Sequence, residues 1–374
     1  MPSEPVISSP SRDQLVAIAD QFAHQGNITR LQSFGSGNIN DTFLVVLDDA
    51  NQTHLVLQRI NTRVFQQPHL IMQNMRTFTR HVADRLQQTP PDRRWEVPQV
   101  VLTQTGQDYW QDGDGQFWRA ISFIAGTESF DTMHNPEQAR EVGYALGMFH
   151  NLISDLPPDH LADTLEGFHI TPRYLQQYEA VAAKTTVDQC PELSYCQQFV
   201  HDRKSLAVVL ELAKEQGKLP LRLMHGDPKV NNVMFDIETG KAASVVDLDT
   251  VKPGLIHYDI GDCLRSSCNP AGEETEQWET VHFEPELCRS ILQGYLSVAQ
   301  EFLTENDYAY LFDAIRLITF ELGLRFLTDH LAGNVYFKVK HTHHNLARAL
   351  VQFRLTESIE AQETTIRHLI RDLR

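Results

Sequence analysis

The run His225-Gly-Asp-Pro-Lys-Val-Asn-Asn232, followed by Val245-Val-Asp-Leu-Asp249, places two acids and an amide at spacings suited to phosphoryl transfer. Reduced to its polar side chains it reads His-x-Asp-x-x-x-x-Asn, then a further Asp at the end of an apolar stretch. Moving a phosphoryl group gains mostly from positioning and charge neutralisation. In such a site Asp227 would accept the proton of the acceptor hydroxyl or orient that hydroxyl for in-line attack. Asn232 would bind magnesium through its amide oxygen, and Asp247 would hold magnesium against the phosphates of a nucleotide. Asp249 could share the metal, fix the loop after Asp247, or remain a solvated carboxylate. Lys229 could reach the transferring phosphate or pair with Asp227. His225 is read as a brace for the loop rather than a catalytic group.

Three fixed positions also recur by chance, so context has to support them. Two short apolar segments, Val233-Met-Phe-Asp236 and Ala243-Ser-Val-Val-Asp247, flank Ile237-Glu-Thr-Gly-Lys241, which has hairpin chemistry. That hairpin would carry Asn232 and Asp247 to one end of a paired strand.

Other residues could serve a nucleotide. Gly35-Ser36-Gly37 opens a polar loop ahead of a strand, and glycines let backbone N–H groups approach phosphates. The next strand offers Gln58 and Arg59 where a phosphate-binding Lys would stand, and the following helix has Gln73 and Asn74 but no nearby Glu. Phe123 and Ile124, at the change from sheet to helix, could offer backbone groups to an adenine edge or form an ordinary linker. His341-Thr-His-His-Asn345 reads as a polar loop near a substrate pocket rather than a metal site. Arg325 and Asp329, at i,i+4, could pair as surface charges.

The elements that position these residues fall into two halves. A capping box at Ser11–Gln14 predicts a helix closing near Gly26. Strands are expected at 42–47, 54–60, 97–102 and 117–124, with a helix over 68–87. Helical periodicity then dominates at 137–153, 194–215, 285–303, 307–331 and 344–373. The fold class is therefore α+β, a small sheet-rich first part and a mostly helical remainder.

A net charge of −17 argues against a nucleic-acid partner. It would suit a cationic substrate, but acidic surfaces also keep proteins soluble. Five cysteines with no Cys-x-x-Cys suggest reduced thiols and a cytoplasmic setting. The first residues lack the pattern of a signal peptide, and no apolar run reaches the roughly 18 residues of a membrane span. Neither a membrane nor an obligatory protein partner is implied.

Gly35–Thr42, Leu57–Asn61, Gly167-Phe-His-Ile-Thr-Pro172, the catalytic run, Val246–Thr250 and Arg325–Phe337 together resemble the aminoglycoside phosphotransferase and choline kinase superfamily. The closer resemblance is to the N-acetylhexosamine 1-kinases, in which Gln also replaces the strand Lys. It implies a bilobal protein-kinase-like fold, with an antiparallel-sheet nucleotide lobe over residues 1–124 and a helical catalytic and substrate lobe over 125–374. It also implies ATP- and magnesium-dependent phosphorylation of a sugar at its anomeric hydroxyl. Asp227 would be the base, Asn232 and Asp247 metal ligands, and Arg325 and Tyr336 part of the sugar pocket. Two departures stand out. Relatives carry Asn before the base, where this chain has Gly226, and His in the glycine loop, where it has Asn38. If residue 38 touches sugar, the preferred acceptor differs. The alternatives are an aminoglycoside or amino-alcohol kinase of the same fold, and a metabolite-binding pseudokinase.

Overall fold

The computed structural model describes residues 10–35, 39–50, 53–133, 135–185 and 190–374. The chain divides into two compact units, one running to Arg80 and including Val97–Ala125, the other comprising His81–Glu96 and Gly126–Arg374.

In the first unit, α1 (Arg12–Ala19) opens on the expected capping box, with Ser11 and Gln14 exchanging side-chain and backbone bonds. It ends at Ala19 rather than near Gly26, because Gln21 and Phe22 enter tight turns and Phe22 bridges to Thr103. Then follow β1 (Ile28–Ser33), β2 (Asp41–Leu47), β3 (His54–Ile60), α2 (Pro68–Gln88), β4 (Val100–Val101), β5 (Trp110–Gln111) and β6 (Phe117–Ser122). The sheet is antiparallel in the order β1-β2-β3-β6-β4, with β5 also on β6. Alternation sends Leu55, Leu57, Trp118 and Ala120 to the face that packs on Leu15, Ile18 and Phe22. The same alternation places Gln58 on the other face, directly opposite Arg119.

The second unit is built mainly from helices: α3 (Pro136–Leu152), α4 (Thr171–Ala182), α5 (Pro191–Arg203), α6 (Val209–Glu215), α7 (Ile256–Ser267), α8 (Pro285–Ala299), α9 (Glu305–Leu331), α10 (His344–Ala361) and α11 (Glu363–Asp372). The short strands β7 (Thr127–Glu128), β9 (Val233–Asp236) and β10 (Ala242–Val245) form one small sheet, and β8 (Arg222–Met224) pairs with β11 (Lys252–Gly254). The expected helix over 194–215 breaks at a 3₁₀ turn, Lys204–Val208. That over 344–373 breaks at Gln362, whose side chain is diverted to the Phe283 and Ser358 carbonyls. Helix α7 carries Ile256, Ile260, Cys263 and Leu264 at helical spacing, yet it is buried nearly all round, its acids Asp259 and Asp262 included. Helices α3 and α8 approach so closely that a Cβ at Gly143 or Gly294 would enter the backbone of Ile291 or Arg140. The core joins Phe320, Leu324 and Leu327 of α9 to Leu350 and Phe353 of α10 and Phe199 of α5. No described helix is long and apolar enough to cross a membrane.

Candidate active site

Strand β8 delivers His225, Gly226 and Asp227 into a loop whose backbone is bonded at every polar group. The Asp259 carboxylate on α7 accepts the His225 N–H at 2.6 Å and the Gly226 N–H at 2.8 Å. Thr250 Oγ1 donates to the His225 carbonyl at 2.7 Å, and His169 Nε2 lies 3.0 Å from the Gly226 carbonyl. The Asp227 N–H donates to His225 Nδ1 at 3.2 Å, while its carbonyl accepts from Asn232 Nδ2 at 2.8 Å and the Lys229 N–H at 2.9 Å. With no backbone group left over, the Asp227 side chain projects from a fixed peptide.

His225 fills the bracing role. Its Nδ1 accepts from Asp227, and its Nε2 bonds the Val246 carbonyl at 3.0 Å, so it is neutral with the proton on Nε2. Burial lowers its pKa and outweighs the nearby Asp259 and Asp227. Gly226 has φ 87, and a Cβ there would sit 2.9 Å from the Thr250 Cβ and carbonyl oxygen. Asn is the residue after Gly that best tolerates left-handed backbone. A side chain at this position would have to fit against Thr250.

Lys229 Nζ lies 3.0 Å from Asp227 Oδ2, and the carboxylate raises the lysine pKa. This ion pair is one of the two roles open to Lys229 in the sequence.

The 3₁₀ turn Val230–Asn232 leads into β9, and β10 returns with Val245 opposite Val233. The Val246 N–H closes this pair on the Asn232 carbonyl at 2.9 Å, so Asn232 and Asp247 stand at one end of the hairpin. Asp247 is left-handed, at φ 64, which aims its side chain away from the strand line. Asp249 is buried, and its carbonyl accepts from Thr164 Oγ1 at 3.2 Å. Because Asn232 commits Nδ2 to Asp227, its Oδ1 is the acceptor available to a cation. Amide and carboxylate oxygens are the hard donors magnesium prefers. Among the described residues no group of three or more His, Cys, Asp or Glu could hold a metal ion.

Arg325 on α9 lies under three aromatic rings, 5.3 Å from Phe168, 5.0 Å from Tyr174 and 5.5 Å from Phe337. Asp329 is not its surface partner. This buried carboxylate accepts the N–H groups of Val335, Tyr336 and Phe337 at 2.9, 2.9 and 3.0 Å, and Asn345 Nδ2 at 2.9 Å. It thereby shapes the turn that carries Tyr336, whose ring is half exposed and 4.8 Å from Phe337. Asp329→Ala should release this turn, raising the acceptor KM about tenfold with little change in the nucleotide KM; steady-state kinetics with each substrate varied would check it. In the histidine cluster, His344 bonds Glu274, which also takes Lys340 and Arg348.

In the first unit, Gln58 Oε1 accepts from Arg119 Nε at 2.9 Å and Nη2 at 2.6 Å, and its Nε2 donates to Thr42. Arg59 points the other way, bonding Asp41 at 2.9 Å and lying 5.7 Å from the Trp118 ring. Sequence inspection missed Arg119, although its place opposite Gln58 follows once β3 and β6 are paired. It missed Asp259 too, because nothing local marks a helix acid as the partner of a distant loop. Gly35 has φ 76. Phe123 packs edge-on to Phe34 and against His54, and Ile124 is buried. Ser36, Gly37 and Asn38 lie outside the described residues.

A sheet-and-helix unit, a helical unit and a tied Asp-loop with a second Asp on the next hairpin define a kinase-like phosphotransferase. Residues 30–290 match the model of the phosphotransferase enzyme family (APH), and the chain belongs to that family. Solved structures share the fold. An aminoglycoside phosphotransferase from Alicyclobacillus acidocaldarius has a TM-score of 0.64 at 16% identity, covering 98% of each chain. A choline kinase from Cryptosporidium parvum Iowa II has 0.60 at 14%, covering 96% of this chain and 98% of that one. An amicoumacin kinase in complex with AMP-PNP and Ca2+ has 0.59 at 14%, covering 94% of each. The protein is a small-molecule phosphotransferase with an alcohol group as acceptor.

Proposed function

We propose that the protein is an ATP- and magnesium-dependent sugar kinase that phosphorylates a hexose, in the first instance an N-acetylhexosamine, at its anomeric hydroxyl. The observation that carries this reading is Arg325. Among the described residues no carboxylate lies within ion-pair distance of it, and three aromatic rings surround it. Phe168, one of those rings, adjoins His169, which bonds the peptide carrying Asp227. A guanidinium offers several N–H donors to hydroxyl or acyl oxygens and repels an ammonium group. Aromatic faces suit the apolar side of a sugar ring. A primary amine would call for carboxylates, and a quaternary ammonium, which also favours aromatic faces, would be repelled by the guanidinium among them.

In this reading Asp227 accepts or orients the proton of the anomeric hydroxyl, the most acidic hydroxyl of a free sugar. Lys229 pairs with Asp227 and is placed to meet a phosphoryl oxygen. Asn232 and Asp247 hold magnesium, with Asp249 behind them. When bound, the metal supplies charge neutralisation on the nucleotide phosphates. Arg325 and Tyr336 contact the sugar, and Asn38, outside the described residues, is the remaining candidate for specificity. Of the strand pair, Gln58 rather than Arg59, which turns to Asp41, would join Gly35, Ser36 and Gly37 in serving the phosphates, and Phe123 and Ile124 would serve the base. Arg119, bonded to Gln58, supplies positive charge at the strand position that lacks a Lys.

The amino-alcohol or aminoglycoside alternative draws on the net charge of −17. Supplying magnesium ATP with a panel of hexoses, N-acetylhexosamines, choline, ethanolamine and aminoglycosides separates the two. We expect kcat/KM for the best hexose to exceed that for any amine by about 100-fold or more. Turnover confined to amines would overturn the sugar assignment.

A further inference from the structure

The segment before α4 turns back to the catalytic loop through two left-handed residues, Gly167 at φ 80 and His169 at φ 63. Histidine adopts this conformation only where its surroundings over-determine it. Here His169 Nε2 lies 3.0 Å from the Gly226 carbonyl, and Nδ1 lies 2.9 Å from Glu321 Oε1 on α9. The other Glu321 oxygen accepts from Thr171 Oγ1 at 2.6 Å. All three side chains are buried. The start of the segment is anchored as well. Lys252 Nζ donates to Asp163 Oδ1 at 2.6 Å and to the Leu165 carbonyl at 2.7 Å.

A carbonyl and an ionised carboxylate can only accept, so serving both takes two N–H groups on one imidazole ring. Glu321 lies at ion-pair distance and holds the His169 pKa above the ordinary histidine value, which favours the imidazolium that donates to both. Such a pair is poorly justified by stability alone, since apolar residues of similar volume fill a core as well or better. Its geometry supplies another reason. The peptide of Gly226 is held by Asp259 at its N–H and by His169 at its carbonyl, and the next residue is Asp227.

We propose that His169 and Glu321 form a positioning pair for phosphoryl transfer, fixing the Gly226 peptide so that the Asp227 carboxylate meets the acceptor hydroxyl in its reactive geometry. The proposal rests on Asp227 being the residue that engages the acceptor.

A pH signature follows. Glu321 and Arg325 of α9, Tyr258 and Asp262 of α7, Tyr174 of α4 and, beyond Asp262, Lys229 face or surround His169. Burial opposes its charge, but Glu321 and then Asp262 outweigh burial and hold its pKa above the ordinary histidine value. The doubly donating form is thus complete below that ordinary value and is lost as pH rises through the raised one. Glu321→Gln keeps the shape and removes the counter-ion. The raising effect then disappears, and the loss moves to lower pH.

The test follows ADP formation from magnesium ATP with the acceptor turned over fastest in the hexose and amine panel, from acid to alkaline pH. Wild type is compared with His169→Gln, Glu321→Gln and Asp227→Ala, each checked for cooperative thermal unfolding. Glu321→Met, which likewise removes the counter-ion, substitutes if Glu321→Gln does not fold and should give the same shift. We expect His169→Gln to lower kcat about 10- to 100-fold with the nucleotide KM little changed. Glu321→Gln should move the alkaline limb of the kcat profile to lower pH while approaching wild-type rates in acid. An inactive Asp227→Ala beside a His169→Gln kcat within about twofold of wild type, with superimposed Glu321→Gln and wild-type profiles, would overturn the positioning role alone. Wild-type turnover by Asp227→Ala would instead remove the reading on which it rests.

Discussion

Replacing Asp227 with Ala should lower kcat by about 10²–10⁴-fold, the range in which a positioned proton acceptor contributes. Nucleotide affinity should persist, measured by calorimetry with a non-hydrolysable analogue, because no nucleotide group is assigned to this side chain. The loop should also survive. Its conformation rests on the Asp227 backbone, through the His225, Lys229 and Asn232 bonds, and not on its carboxylate. The one side-chain bond lost is the ion pair to Lys229, which is half exposed and contributes little to stability. A kcat unchanged by the substitution would withdraw Asp227 from the reaction. A wild type that binds the analogue but transfers nothing to any acceptor would favour a metabolite-binding module over an enzyme.

The second large effect is expected at Asp247. At φ 64 the cleanest replacement is Asn, which tolerates left-handed backbone and keeps the side-chain shape while removing the charge. If Asp247 holds magnesium against the phosphates, Asp247→Asn should lower kcat about 10²–10³-fold and shift the magnesium titration of activity to higher concentration. The same variant should leave acceptor affinity near wild type, since Arg325 and Tyr336 are assigned to that task. A titration superimposable on wild type would place the metal elsewhere. Asp249→Asn separates its two roles: a shifted magnesium curve marks a ligand, and lowered stability with an unshifted curve marks a brace behind Asp247.

These residues were legible in the sequence to very different degrees. The hairpin β9–β10 was readable because short apolar segments and a Thr-Gly connection leave little choice of fold. Helix α9 was readable from its period, although its true start is the Thr304 capping box. Helix α7 has its apolar residues at helical spacing, but its polar face reads as solvent-facing and is in fact buried, so the sequence hid the role of Asp259. What fixes Asp227 comes from α7, from Thr250 and from the loop before α4, all remote in the chain. Such long-range bonds leave no periodic mark. The segment Gly167–Pro172 attracted notice only by resemblance, and its physical content, a left-handed histidine bridging Glu321 and Gly226, appears only in three dimensions.

Charge at the proposed acceptor site shows the same limit. The i,i+4 spacing of Arg325 and Asp329 suggested a pair, since such neighbours commonly meet on a helix. The turn after α9 intervenes, because three consecutive N–H groups of residues 335–337 claim the carboxylate. Arg325 is thereby left to the aromatic rings. Likewise, the strand position without a Lys seemed short of positive charge, yet pairing β3 with β6 brings Arg119 against Gln58. In both places the sequence contained the residues but not the partner that decides their role.

The most direct test of the central claim is the proton-coupled phosphorus NMR spectrum of the product formed from magnesium ATP and the best hexose. Transfer to the anomeric oxygen gives a doublet, coupled to the single proton on C1, and the product loses the reducing end. That is the expected result. A triplet from a phosphate on the C6 methylene, or phosphate appearing only on an amino-alcohol or aminoglycoside, would contradict it.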